Sequence, residues 1–70
     1  MYTIIINWYE NHCQIDPKSD FYDELSKHTF TGSYSKEEIE FKIYKLIDDL
    51  PNNHYGKFAE QTEVKHNFLI

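Results

Sequence analysis

From Tyr2 to Tyr9 the chain alternates between two faces. Tyr2, Ile4, Ile6 and Trp8 fall on one side of an extended segment, and Thr3, Ile5, Asn7 and Tyr9 on the other. β-branched and aromatic residues dominate the run, which predicts a strand with its even positions toward the core. Glu10-Asn11 is expected to turn the chain into a short second strand through Cys13 and Ile15. Asp16-Pro17 ends that strand, because the residue before proline is pushed to extended backbone. Between Lys18 and Lys27, Phe21, Tyr22 and Leu25 recur at near-helical spacing, with Ser19 or Asp20 as the expected N-cap of a short helix or structured loop. Residues 27–31 alternate again, and Gly32-Ser33 is expected to turn them.

The strongest element runs from Ser35 to Leu50. Ser35 and Glu38 have the spacing of a capping box, in which each side chain satisfies the other residue's backbone N–H. Glu37 and Glu38 stand in the first turn, where the helix dipole favours carboxylates. Ile39, Ile43, Leu46, Ile47 and Leu50 make one apolar stripe, and Pro51 stops the helix. Residues 55–58 read equally as strand or turn. Thr62 to Ile70 alternates, with Val64, His66, Phe68 and Ile70 together, and predicts a terminal strand. The expected fold is a single α+β domain spanning residues 1–70. A small, mostly antiparallel sheet of three or four strands packs on one main helix at about 35–50.

Composition sharpens this picture. A chain of 70 residues buries a small core, but six Tyr, five Phe and one Trp supply large apolar area per residue. Cys13 is the single cysteine, so no intramolecular disulfide can staple the fold, and a reducing compartment, the cytoplasm, is expected. No apolar run approaches the roughly 18 residues of a membrane span, and the N-terminus lacks a signal-peptide pattern.

The net charge is −5, and all seven basic residues are Lys. Without Arg, the residue best suited to bidentate phosphate and base contacts, direct nucleic-acid binding is disfavoured. No glycine-rich phosphate loop is present. His12, Cys13 and Asp16 lie close together, but neighbouring strand residues point to opposite faces and no paired-ligand spacing follows. No metal, cofactor or catalytic residue is therefore expected. A metal-dependent hydrolase using His12 or His28 with nearby carboxylates is the least favoured function.

The back of the main helix is more informative. Glu37, Phe41, Tyr44 and Asp48 recur opposite the core stripe, where a one-sided helix carries only polar residues. Two aromatics ringed by carboxylates have the make-up of an interface anchor. Alternatively, both rings pack under residues 18–34 or 52–60 as a second layer of core. Acid also concentrates early, with Glu10, Asp16, Asp20, Asp23 and Glu24 against Lys18 alone in residues 1–24. Together these residues suggest a protein partner with a basic surface, toward which the charge would steer association.

In style, a short, acidic, Arg-free chain rich in Tyr, Asn, Ile and Lys resembles the accessory proteins of bacteriophages with AT-rich genomes. Many of those bind and block a host protein, anti-CRISPR inhibitors among them. The resemblance implies a stoichiometric, non-catalytic inhibitor of a host defence or nucleic-acid-processing complex, working in the bacterial cytoplasm. Its partner-binding residues would be Glu37, Phe41, Tyr44 and Asp48, helped by Asp16, Asp20, Asp23 and Glu24. The rival reading is a small structural or regulatory subunit, a homodimer meeting through the aromatic helix face or the open edge of the sheet.

Overall fold

The structure is a computed structural model that describes residues 1–10, 12–28, 30–31 and 34–69, leaving aside the side chains of Thr31 and His54. Strand β1 (Tyr2–Trp8) is followed by β2 (His12–Ile15), a one-turn helix α1 (Tyr22–Leu25) and the two-residue strand β3 (Phe30–Thr31). The long helix α2 (Lys36–Asp48), a 3-10 turn at His54–Gly56, helix α3 (Lys57–Glu60) and strand β4 (Thr62–Phe68) complete the chain. The sheet order is β3-β2-β1-β4. This is the α+β fold with one main helix that the hydrophobic pattern predicts.

Two of the three strand pairings are antiparallel, β1 with β2 and β2 with β3. The longest is not. β4 runs parallel to β1 through seven residue pairs, from Tyr2 with Thr62 to Trp8 with Phe68, so the sheet is mixed. Parallel neighbours need a long crossover, and everything from β2 to α3 serves as that crossover. Period-2 alternation is identical for either strand direction, so the pattern at 62–70 carried no signal of this pairing.

The core forms where α2 covers one face of the sheet. Ile4 and Ile6 from β1 and Ile39, Ile43 and Ile47 from α2 are fully buried, joined by Leu25, Cys13, Phe30 and Ile15. The even face of β1 and the helix stripe thus meet as expected, with Leu46 and Leu50 partly buried beside them. The capping box is present in both directions, Glu38 N–H to Ser35 Oγ at 3.1 Å and Ser35 N–H to Glu38 Oε1 at 3.2 Å.

The 16–28 segment departs from expectation. Neither Ser19 nor Asp20 caps α1; the N-cap is Phe21, with left-handed backbone at φ 61° and no side-chain cap bond. Ser19 and Asp20 instead replace a missing strand beside the first half of β1. Ser19 Oγ accepts from Ile5 N–H at 2.8 Å and donates to Ile5 C=O, and Asp20 Oδ2 accepts from Thr3 N–H at 2.8 Å. The backbone of Asp16 and Asp20 donates to Ile5 and Thr3 carbonyls in turn. A left-handed backbone is costly for a bulky residue; here the Phe21 ring packs against Tyr2 and Phe58, with centroids 4.8 and 5.3 Å away.

Lys27 and His28 lie in the turn after α1, so the strand expected over 27–31 shortens to Phe30–Thr31. The turn placed at Gly32-Ser33 lies outside the described residues, as do Asn11 of the hairpin turn and Ile70 of the last strand. Residues 55–58 resolve as turn and helix, Gly56 taking the left-handed conformation that glycine tolerates, with φ 70°.

Ser19 is the one buried polar residue among those described. Ser19→Ala removes both of its bonds and leaves the Ile5 N–H unpaired, which should cost about 1–3 kcal/mol by urea denaturation.

Candidate functional site

The residues read from sequence as a binding patch separate into two regions. α2 presents three sides beyond its buried stripe. Toward β4, Tyr44 Oη donates to the Thr62 carbonyl at 3.3 Å, so this ring is half-buried and engaged. Phe41 is the opposite case, with 63% of its surface exposed. It stands among Glu37 and Asp48, both exposed, with Lys45 Nζ 5.2 Å from its ring centroid. The two aromatics thus divide the alternatives: Tyr44 belongs to the packed layer, and Phe41 stands exposed with the Lys45 ammonium over its ring.

The acidic residues of the first third are elsewhere. Asp16 Oδ2 accepts from Asn7 Nδ2 at 2.8 Å, and Asn7 Oδ1 accepts from Asn67 Nδ2 at 3.1 Å. Asn7 and Asn67 are odd-numbered strand positions, which face away from α2. Asp16 Oδ1 also accepts the Lys18 N–H at 2.8 Å. Asp16 and Asp20 are therefore committed to holding the 16–20 loop against the edge of β1, Asp16 through Asn7 on the face of the sheet away from α2. Asp23 and Glu24 are exposed in the first turn of α1 and have no such task. Hydrogen-bond donors around a carboxylate stabilise its charged form, and the Asn7 and Lys18 bonds lower the Asp16 pKa from its ordinary value.

A polar relay joins the three principal elements. Trp8 Nε1–H donates to His66 Nδ1 at 2.8 Å, and His66 Nε2 lies 2.7 Å from Glu40 Oε1. Because Nδ1 accepts, the ring proton sits on Nε2 and is donated to Glu40. The His66 side chain is only 7% exposed, and Phe68 stacks on Trp8 at a centroid distance of 5.7 Å. A His between a carboxylate and a second polar group looks like part of a catalytic triad. Here the position a nucleophile would occupy is taken by the indole N–H, a donor with no nucleophilic lone pair. The relay is structural. Residue types alone do not reveal it, since Trp8, Glu40 and His66 are far apart in sequence and show no motif spacing.

On its other side α2 borders a cleft of about 500 Å³ lined by Lys27, His28, Phe30, Tyr34, Lys42, Lys45 and Leu46. Among its described lining residues there is no carboxylate, and Lys42 Nζ sits 5.6 Å from the Tyr34 ring centroid. The acidic balance of the chain is thus uneven around α2: carboxylates flank Phe41 on the β4 side, Lys27 and Lys42 gather on the β3 side, and Lys45 stands between the two.

A neighbouring cleft of about 310 Å³ is lined by His12, Cys13, Tyr22 and His28 among others. Burial raises the Cys13 thiol pKa, so the sulfur is held as the weakly nucleophilic thiol. Among the described residues, no three His, Cys, Asp or Glu side chains converge as metal ligands would. In those residues, no helix is long and apolar enough to cross a membrane.

No protein-family model matches this chain, and no curated protein or solved structure matches it either.

Two outcomes follow from these contacts. A lowered native pKa means that Asp16 contributes stability that is complete above the ordinary Asp value, about pH 4. That contribution is lost as pH falls through the lowered native value. Asp16→Asn should therefore be less stable than wild type at neutral pH, with the gap narrowing toward pH 2, read as denaturation midpoints against pH. His66→Leu strands both the Trp8 N–H and the Glu40 carboxylate and should cost about 1–3 kcal/mol, with a changed Trp8 emission spectrum.

Proposed function

We propose that this chain is a small, non-catalytic protein-binding module that docks through the outer face of α2 and blocks a basic protein surface by stoichiometric occupancy. Exposed Phe41 carries the reading. It is a large ring held outward on a helix whose N-terminus is closed by a reciprocal capping box, with Glu37 and Asp48 on its flanks. Rigid aromatic anchors with polar rims are the common make-up of binding hot spots, because the ring loses little entropy and the rim excludes water around it.

A stable interface takes about 800 Å² from each partner. This chain exposes 4872 Å² in all, so roughly a sixth of its surface would be used. One stripe of a 13-residue helix does not supply that alone. The flanks must contribute, and they differ in charge: carboxylates lie toward β4 and the lysine cleft toward β3. The fitting partner surface is basic opposite Glu37 and Asp48 and carries an apolar socket for Phe41. Proteins that grip nucleic acids have basic surfaces of this kind, which supports a bacterial defence or nucleic-acid-processing complex as the target. Anti-CRISPR-like inhibition is the specific form of that proposal, with the bacterial cytoplasm as its setting. Asp23 and Glu24 add long-range attraction.

The test is capture of candidate nucleic-acid-processing complexes on the immobilised chain. Phe41→Ala should lower affinity by about 2 kcal/mol or more while shifting the unfolding free energy by no more than about 0.5 kcal/mol, as befits an exposed position. Association should also slow as salt is raised. Loss of stability in Phe41→Ala, or capture that ignores both the substitution and the salt, would overturn the assignment.

A further inference from the structure

The outer edge of β4 is the one long strand edge in the described sheet that no other element pairs. On the opposite side, β1 is closed by β2 and by the 16–20 loop, and β2 ends in the two-residue β3. We infer that β4 pairs with β4 of a second copy of this chain in one definite register, antiparallel about Val64, joining two sheets into one.

The parallel ladder decides which backbone groups are available. Tyr2 N–H donates to the Gln61 carbonyl at 2.7 Å, and Leu69 N–H donates to the Trp8 carbonyl at 3.0 Å. With the register between them continuous, the odd-numbered residues of β4 direct their N–H and C=O toward β1. The even-numbered ones, Thr62, Val64 and His66, direct theirs outward. Tyr44 Oη meeting the Thr62 carbonyl is the visible sign of this orientation. An antiparallel partner must engage these even residues.

Side-chain charge then selects among the possible two-folds. Glu63 and Lys65 are both exposed, on the face of the sheet away from α2. A two-fold at Glu63 sets the two Glu63 side chains opposite one another, and one at Lys65 does the same for the lysines. A two-fold at His66 pairs Lys65 with Asn67. Only a two-fold at Val64 crosses Glu63 of each copy with Lys65 of the other, and does so twice. These crossed residues form non-hydrogen-bonded pairs, whose Cα atoms approach to about 4.5 Å, the closer spacing of an antiparallel ladder. Thr62 bonds opposite His66, its carbonyl accepting on the second lone pair beside Tyr44 Oη, Val64 opposite Val64, and His66 opposite Thr62. The backbone limits the pairing to even residues opposite even residues, and the side-chain charges choose Val64 among the two-folds that remain.

The two-fold axis of such a pair runs normal to the sheet, so both α2 helices lie on one face. If the docking face assigned to Phe41 is right, the dimer shows it twice on one side. A broad or repeated partner surface would then be held by both copies. The dimer itself does not depend on that reading.

Sedimentation equilibrium of the full chain tests the pairing without any partner. The wild type should approach twice the chain mass as concentration rises toward about 1 mM, the range in which weak association is detected. Glu63→Lys places like charges at both crossings and should raise the dissociation constant by at least about tenfold. Combining it with Lys65→Glu restores opposite charges and should restore dimerisation. Val64→Pro removes an outward N–H, a change edge strands accommodate, together with some packing of a side chain partly buried against the core, and should give a monomer that keeps the circular dichroism of a folded chain. A wild type that keeps single-chain mass throughout, or a double exchange that stays as weak as Glu63→Lys, overturns the inference. Either result leaves the Phe41 capture experiment standing.

Discussion

A strand in the middle of a sheet must find hydrogen-bond partners along both edges, and for β1 that requirement organises nearly the whole chain. On one side it is met by β4, brought back from the far end of the sequence as a parallel neighbour. On the other side β2 covers only Ile6 to Trp8. The rest of that edge is closed by Ser19 and Asp20 side chains and by the backbone of the 16–20 loop. A buried N–H left without a partner costs about as much as several favourable contacts contribute, so residues that look like helix caps are drawn to the strand instead. Asp16 and Asp20 thereby lose the freedom that a surface carboxylate needs to meet a partner.

The same economy governs the aromatic residues, which stand in for aliphatic core that a short chain cannot supply. Tyr2, Phe21 and Phe58 gather at one end, their centroids 4.8 to 5.3 Å apart. At the other, Phe68 stacks on both Trp8 and His66, with Lys36 Nζ 5.8 Å from the Phe68 centroid. The Trp8–His66–Glu40 relay ties β1, β4 and α2 together and satisfies the indole and imidazole nitrogens as they are buried. Phe41 stands outside both clusters. That separation leaves its ring outside the packed layers of the fold.

The surface that results is segregated. One flank of α2 carries Glu37 and Asp48 beside Phe41, and the other carries Lys27 and Lys42 around an aromatic-walled cleft, with Lys45 standing between the two. A net charge of −5 describes the long-range field of the chain, while local patches of both signs lie around α2. On the proposed docking role, complementarity to such a surface would discriminate between partners more sharply than uniform acidity, since a wrongly placed charge is repelled.

What the chain determined by itself was local. Alternation placed β1 and its buried face, the Ser35/Glu38 spacing placed the start of α2, and the isoleucine stripe named the helical core. Each depends on neighbours within a few residues, so the pattern carries the full physical cause. Phe41 as a candidate anchor was legible in the same way, from its position opposite that stripe. Strand direction, the diversion of Ser19 and Asp20 to β1, and the meeting of Trp8, Glu40 and His66 depend on groups far apart in sequence. So does the difference between Phe41 and Tyr44, which share one helix face and one chemical type. Only the arrival of β4 beside α2, with its Thr62 carbonyl in reach, gives Tyr44 a partner and leaves Phe41 in solvent. Contacts between distant segments leave no periodicity in one sequence, and tertiary packing alone decides them.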